Sequence, residues 1–518
     1  MVFFRAFLLS LLWIFPAHAA RQPNLIIIQT DEHNFRTLGC YRNLLSVEQG
    51  HMWGKNLVVE TPHIDALARR GVLCTSFYAT TPVCGPSRAA LITGRYPQNT
   101  GVVQNNNPLS DHMITFARIL KEQGYATGYI GKWHLEGDGK PQWAPPRKFG
   151  FEDNRYMFNR GHWKQFEDTP NGPRVKARDA GGNPSYSVKG ADEQSFATDY
   201  LMERAGEFIA RHREKPLCLM VSLPDPHGPD TVRAPYDTMY THMKFEKPRT
   251  FAVGEKEGDV PRWAVPSGRF QNMAIYYGMV KCIDDRMGEL VSQLKELDLL
   301  ENTVLVFTSD HGDLRGEHHR QNKGVPFEAS ARIPFIISYP AKLTEPKVVD
   351  EALTCVDFLP TVLPIMGVRT AGKEQGRDAS SLFLPGAAEP GWEDVAFMRG
   401  TGSQSAWVSA VSDRYKLVLS PFDTPWLFDL QEDPDELKNF FLEADRREVV
   451  RTLSKALLDY GKRYGDPVLS GPAVRADLEW GAGGEGAYVA PNREKRPSPS
   501  PLKRKLNNAK KRKNKSAG

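Results

Sequence analysis

The sequence predicts an α/β fold, a sandwich with helices on both sides of one large, mostly parallel central sheet. Two observations carry this. Five apolar runs are nearly continuous instead of alternating, the mark of strands buried on both faces. Helical patterns fall between them, with apolar residues three and four apart, and such strand–helix alternation folds into layers around one sheet. With 518 residues, 40% of them hydrophobic, the chain can build one large domain or two to three smaller ones.

Taken in order, the chain opens on Arg5, the apolar run Ala6 to Phe15 and the small residues Ala17, Ala19 and Ala20. A charged, an apolar and a cleavage region in that order predict a signal peptide over 1–20, and so an exported, periplasmic or secreted protein. Asn24 to Thr30 (NLIIIQT) is the first expected strand. A helix is expected over His63 to Tyr78, a strand over Ala126 to Trp133, a helix over Glu193 to His212 and a strand over Leu217 to Leu223. The clearest helix spans Arg269 to Leu299, where Tyr277, Val280, Ile283, Met287, Leu290, Leu294 and Leu297 share one face. Thr303 to Thr308 and Ile333 to Tyr339 complete the strands. Gly137 to Asp192 and Gly228 to Gly268 lack periodicity, and loops of that length are functional or disordered. Within them Trp143, Arg160, His162, Trp163, Arg233 and Tyr236 suit substrate contact and packing equally, so no role is assigned to them.

The net charge of +5 joins two unlike parts. Residues 491–518 carry eleven Lys or Arg against Glu494 alone, so the chain before them is net acidic. Nucleic-acid binding needs a basic folded surface, and the body lacks that charge. Residues 479–518 read as a Gly-rich linker followed by a disordered basic tail, in which Pro497, Pro499 and Pro501 alternate with serine. Such a tail is either a tether to an anionic surface or polysaccharide, or a solvated end without a role. Among six cysteines, Cys218 and Cys282 lie in apolar contexts, and no essential disulfide framework is expected.

Reactive residue types gather at the strand ends: Asp31-Glu32-His33, Lys132-Trp133-His134, Asp225-Pro226-His227 and Asp310-His311-Gly312. Ligands of open α/β sheets bind beyond the carboxyl ends of the strands. One such cluster could be a helix cap, but four aimed at one place point to a metal or anion site.

Cys84-Gly85-Pro86-Ser87-Arg88, followed by Thr93-Gly94-Arg95, resembles the signature of the type I, formylglycine-dependent sulfatases of the alkaline phosphatase-like superfamily. Asn24 to Cys40, Gly131-Lys132-Trp133-His134, Pro226-His227 and Thr308-Ser309-Asp310-His311-Gly312 with Lys323 resemble further blocks of that family. Leu427 to Asn439 is similar to the segment that opens its C-terminal subdomain, and the likeness runs from about residue 22 to 465. It implies an alkaline phosphatase-like catalytic domain over 21–385 and a smaller C-terminal α+β subdomain over 386–478.

The resemblance also implies a chemistry. A maturation enzyme oxidises the family's cysteine, here Cys84, to formylglycine, whose hydrate attacks the sulfur of a sulfate ester, with a sulfated carbohydrate the expected substrate. One divalent ion, Ca2+ in most relatives or else Mg2+, falls to Asp31, Glu32, Cys84, Asp310 and His311. Arg88, Lys132 and Lys323 face the sulfate, and His227 and Lys323 assist the departing alcohol. His134 takes the proton from the remaining hydroxyl, sulfate leaves by elimination and the aldehyde returns. Two residues depart from the commonest pattern: Glu32 stands where many relatives have Asp, and His311 where many have Asn. The alternatives are a phosphonate or phosphate monoester hydrolase on the same scaffold, and an inactive relative that binds sulfated glycans. The full reactive set speaks against the inactive binder.

Overall fold

Eight strands form the central sheet of the structure, a computed structural model that describes residues 21–252, 261–264, 270–271, 273–386, 391–401 and 406–495. The signal peptide expected over 1–20 and the tail beyond 495 lie outside the described residues. The strands are β1 (Asn24–Asp31), β2 (Val72–Cys74), β3 (Ala126–Lys132), β4 (Met157–Phe158), β5 (Leu217–Pro226), β6 (Thr303–Ser309), β7 (Phe335–Ser338) and β8 (Lys347–Val349), in the order β8-β2-β7-β6-β1-β5-β3-β4. In the middle, Ile26 pairs with Leu219 on β5 and with Leu305 on β6, both in parallel register. Leu25, Ile26, Ile27 and Ile28 are all buried. Both faces of β1 are thus covered, which is why its apolar run does not alternate.

Four helices matter for the site and its support: α1 (Cys84–Thr93), α2 (Ala197–His212), α3 (Met273–Glu296) and α4 (Cys355–Ile365). The seams of α2 and α3 pack with the β1 and β5 side chains into one apolar cluster. All ten residues of α1 are buried, and it joins α4 and the opposite sheet face in a second cluster. The carboxyl ends of β1, β3, β5 and β6 therefore open on one side of the sheet, above the start of α1.

Three elements differ from expectation. The helix expected over His63 to Tyr78 stops at Ala68 and gives way to β2 and the short strand Phe77–Tyr78. At Gly71 an added Cβ would lie 2.1 Å from the Ile337 carbonyl oxygen, so only glycine admits the close approach to β7 there. The strand expected over Ile333 to Tyr339 exists as β7, but it runs antiparallel to β6 and β2. Its continuous apolar run reports burial on both faces, and burial does not fix direction. The Gly137 to Asp192 stretch is not wholly irregular, since it holds β4 and the hairpin Phe166–Thr169 with Gly172–Val175.

The C-terminal part is an antiparallel meander of β9 (Ala396–Arg399), β10 (Val408–Val411), β11 (Tyr415–Ser420) and β12 (Asp423–Asp429), covered by α5 (Arg447–Tyr464) and α6 (Pro472–Gly483). Leu427 lies in the last strand of this meander rather than at its opening. The linker expected from residue 479 is helical to Gly483. Beyond it Tyr488 packs on Trp480 at 5.1 Å, and Arg493 pairs with buried Asp477 at 2.9 Å. Aromatic and ionic contacts thus dock Tyr488 and Arg493 on the C-terminal part, which glycine content alone does not reveal.

Candidate active site

Cys84 opens α1, where unpaired backbone N–H groups and the helix dipole favour negative charge. Val83 before it is extended and Gly94 closes the helix in the left-handed region at φ 64°, the conformation glycine adopts without penalty. The Cys84 sulfur lies 3.2 Å from His311 Nε2 and 3.8 Å from Asp31 Oδ1. Burial raises the thiol, but Lys132, Lys323 and His311 outweigh it and hold it well below the usual range.

Two carboxylates close this side. Asp31 ends β1 and Asp310 follows β6, and donor atoms of Asp31, Cys84, Asp310 and His311 all lie within 4.8 Å of one another. Arg88, one turn into α1, holds both acids: its Nε and Nη2 reach Asp310 at 3.0 and 2.9 Å, and Nη2 is 3.4 Å from Asp31. Its Nη1 donates to Gln29 Oε1 at 3.1 Å, to the Lys132 carbonyl at 2.9 Å and to the Ser222 hydroxyl. Lys132 Nζ pairs with Asp31 Oδ2. Burial and the Cys84 charge push Asp31 up, yet Lys132, His227 and Arg88 prevail and hold it far below the carboxylate range. Asp310 goes the other way, raised by burial and by the neighbouring charge of Asp31.

On the far side, Lys323 Nζ lies 3.0 Å from Glu32 Oε1 and 2.7 Å from His227 Nε2, and Glu32 Oε2 is 2.9 Å from the same nitrogen. A carbonyl only accepts, so the 2.8 Å contact of His227 Nδ1 with the Gly228 oxygen places the proton on Nδ1 and leaves Nε2 facing the site. His134 is buried, and neither ring nitrogen makes a hydrogen bond of good geometry; burial lowers its proton affinity. Glycines give the approach paths: a Cβ at Gly131 would lie 2.0 Å from the Ser222 carbonyl oxygen, and one at Gly312 would lie 2.1 Å from that of Ala329.

The residues present fit a divalent cation. His311 Nδ1 is tied to the Gly312 carbonyl at 2.9 Å, the usual second contact of a metal-ligating imidazole, so Nε2 is the atom turned to the two carboxylates. Asp310 and Cys84 outweigh burial and raise the ring to about 9, and a cation would take the place of the Nε2 proton. The Cys84 sulfur is the softest donor beside two carboxylates and one imidazole, and an oxygen-bearing form of residue 84 removes that mismatch.

The structure thus brings all ten predicted residues into two adjoining groups. Glu32 stands apart from the four-residue donor cluster, because its longer side chain is held by Lys323 and His227. His33 turns away into a box of Thr30 and Thr37, where burial lowers it to about 3. Asp225 is taken by Lys164 at 2.6 Å and Thr198 at 2.6 Å beneath the His227 loop. Gln29, Ser222 and His162 escape the motif-based reading. The first two are polar interruptions of apolar strands near their carboxyl ends, which is the signal that marks them. Of the other long-loop residues, Arg233 pairs with Asp199 and Trp143 packs on Phe158 and Phe166.

Arg88, Lys132 and Lys323 gather around the Cys84 end of α1, an arrangement suited to an anionic ester. The site and sheet therefore define a hydrolase of anionic esters. The chain belongs to the sulfatase family, whose model matches residues 23–368, and a model of the N-sulphoglucosamine sulphohydrolase C-terminal region matches 316–463. It is a sulfuric ester hydrolase with an alkaline phosphatase-like fold. An ulvan-active sulfatase of Formosa agariphila is 27% identical, the match covering 86% of this chain and 82% of that one. A solved complex with its substrate D-glucosamine-2-N,6-O-disulfate superposes with a TM-score of 0.70 at 21% identity, covering 87% of this chain and 100% of the other. The phosphonate monoester hydrolase of Agrobacterium radiobacter shares the fold with a TM-score of 0.65 at 23% identity, over 86% and 97% of the two chains.

Proposed function

We propose that this protein is an exported sulfatase that removes sulfate from a sulfated carbohydrate, using residue 84 as formylglycine and one divalent cation, Ca2+ by the hardness of most donors. The carrying observation is the placement of Cys84 on the α1 N-terminus, with Asp31, Asp310 and His311 donors within 4.8 Å. The carbohydrate reading draws on the relatives, one named for ulvan and one bound to a sulfated glucosamine. Export rests on the N-terminal signal pattern, and the basic tail beyond residue 495 suits contact with an anionic polysaccharide.

Asp31, Asp310, His311 and residue 84 would hold the cation, which would supply Lewis acidity at this end of the site. The chain's own residues do the rest. Arg88 keeps Asp31 and Asp310 parallel to each other's task by sharing one guanidinium. Lys132 and Lys323 donate to the sulfate oxygens. His227 meets the leaving oxygen through Nε2, because Nδ1 is engaged. His134, with both nitrogens free of good hydrogen bonds, is placed to take the proton of residue 84.

Mass spectrometry of the peptide spanning residue 84, from protein purified from its native host, tests the nucleophile: an intact thiol there would overturn it. The phosphonate hydrolase of the same fold motivates the second reading. Parallel kinetics on sulfate and phosphate esters of one alcohol separate the two, and a faster phosphate reaction favours that reading.

A further inference from the structure

His162 sits in the long stretch between β3 and α2, and its ring lies on the ring of His227 with centroids 3.4 Å apart and planes 8° from parallel. Its Nε2 is 2.8 Å from Lys132 Nζ. An ammonium only donates, so Nε2 carries a lone pair there and the stacked ring is neutral on that edge. The next residue anchors the loop: Trp163 Nε1 donates to the Arg160 carbonyl at 2.9 Å, and its indole packs on Tyr186 at 4.6 Å.

His227, by contrast, is held in the plane of its ring at two points. Nδ1 donates to the carbonyl of its own neighbour, Gly228, and Nε2 contacts Lys323 and Glu32. Neither contact stops the ring from tilting out of that plane. A parallel ring at van der Waals distance does, and it also keeps water off that face.

We propose that His162 is a positioning residue for His227: the stacked ring fixes the direction in which His227 Nε2 delivers a proton to the departing alcohol. This rests on the sulfatase reading above. In the step concerned, the ionised hydroxyl oxygen of residue 84 bonds to the sulfur as the S–O bond to the alcohol breaks and its electron pair goes to the alcohol oxygen. That oxygen takes the Nε2 proton of His227 in its doubly protonated form, while Nδ1 keeps its own proton on the Gly228 carbonyl, and the freed Nε2 lone pair then accepts from Lys323. A misaimed donor penalises poor leaving groups and spares good ones, because 4-nitrophenolate departs without a proton and an alkoxide-like phenolate does not.

The test is a series of aryl sulfates, from 4-nitrophenyl to phenyl to 4-methoxyphenyl sulfate, measured for kcat and KM. His162→Ala is expected to lower kcat on phenyl sulfate by about tenfold and on 4-nitrophenyl sulfate by less than about twofold, a share of the usual contribution of a general acid. KM should stay within about threefold. His162→Phe keeps a ring on His227 and should restore the wild-type dependence on leaving group; His162→Gln keeps an acceptor for Lys132 and should not. Equal losses across the series, or rescue by Gln and not by Phe, would overturn the proposal. Should the Ala variant fail to fold, the Phe and Gln pair decides alone. Wild-type protein from the native host that hydrolyses neither these aryl sulfates nor sulfated carbohydrates would refute the sulfatase reading itself, a separate outcome.

Discussion

Arg88→Lys keeps the charge at the centre of the site and loses the fork. In the wild type one guanidinium serves Asp310, Asp31, Gln29, the Lys132 carbonyl and Ser222. A lysine ammonium is a compact charge with three donors, enough for the two carboxylates. The Lys132 carbonyl keeps the Tyr129 hydroxyl at 2.7 Å. Gln29 Oε1 and the Ser222 oxygen lose the donor they have, at positions with no exposure. An orphaned buried acceptor costs about 1–3 kcal/mol, so the two together predict a loss of about 2–6 kcal/mol. Urea unfolding at pH 7.5 measures it, and an unchanged slope with a lowered midpoint identifies the loss as stability. Turnover should fall as well, since a single ammonium does not reproduce the planar geometry in which the guanidinium holds Asp31 and Asp310. A stability loss below about 1 kcal/mol would refute the claim that the fork, rather than the charge, holds this site together.

Cys84→Ala is expected to abolish hydrolysis while leaving the unfolding midpoint close to wild type, because the side chain is small and α1 does not depend on it; retained turnover would exclude Cys84 as the nucleophile. Lys416→Met strands two buried carboxylates, Glu328 and Glu436, which Lys416 Nζ contacts at 2.6 and 2.8 Å. Breaking one partner of a buried ionic group costs about 3–5 kcal/mol. Burial and the neighbouring charge of Glu328 push Glu436 up, Lys416 offsets only part of this, and the carboxyl stands at about 7, against 4.5 for an ordinary glutamate. Such a group favours the folded state at low pH and loses that stabilisation as pH rises through its folded value, and removing Lys416 moves it higher still. The variant should therefore lose more stability at pH 8 than at pH 5, measured by urea midpoints; equal losses at both would show that Glu436 stays ionised throughout.

The strands were legible because burial on both faces writes itself as uninterrupted Ile, Leu and Val, and the nucleophile because its motif is dense. Direction was not: β7 reads the same forwards or backwards, since hydrophobic burial is non-directional. The helix expected to reach Tyr78 failed at Gly71, whose missing side chain answers to a strand more than 250 residues away, a contact no local pattern contains. Residues 479–495 read as linker from composition, yet buried Asp477 and half-buried Arg493 form a pair that composition averages away. Within the site, the charged residues were visible at strand ends, whereas the aim of each side chain was not. His162 shows this best, since stacking on His227 joins two loops 65 residues apart and leaves no trace in either.

Glu32 and His311 depart from the commonest family pattern together, and the geometry relates the two changes. The Glu32 backbone N–H still donates to Asp310 Oδ1 at 3.1 Å, while its carboxylate reaches across to Lys323 and His227. One carboxylate therefore leaves the donor cluster for the leaving-group side. At position 311 an imidazole nitrogen stands where an amide oxygen is commoner. The cluster becomes two carboxylates, one nitrogen and residue 84, a set less exclusively hard than an all-oxygen one. Borderline ions such as Mn2+ should accordingly compete with Ca2+ better here than at an all-oxygen site. Thermal midpoints with each ion, after removal of bound metal by chelation, measure this through the stabilisation each ion confers. His311→Asn should shift the preference back toward Ca2+. If it weakens the response to both ions by the same factor, the nitrogen does not select the metal, and the coupling of the two replacements fails.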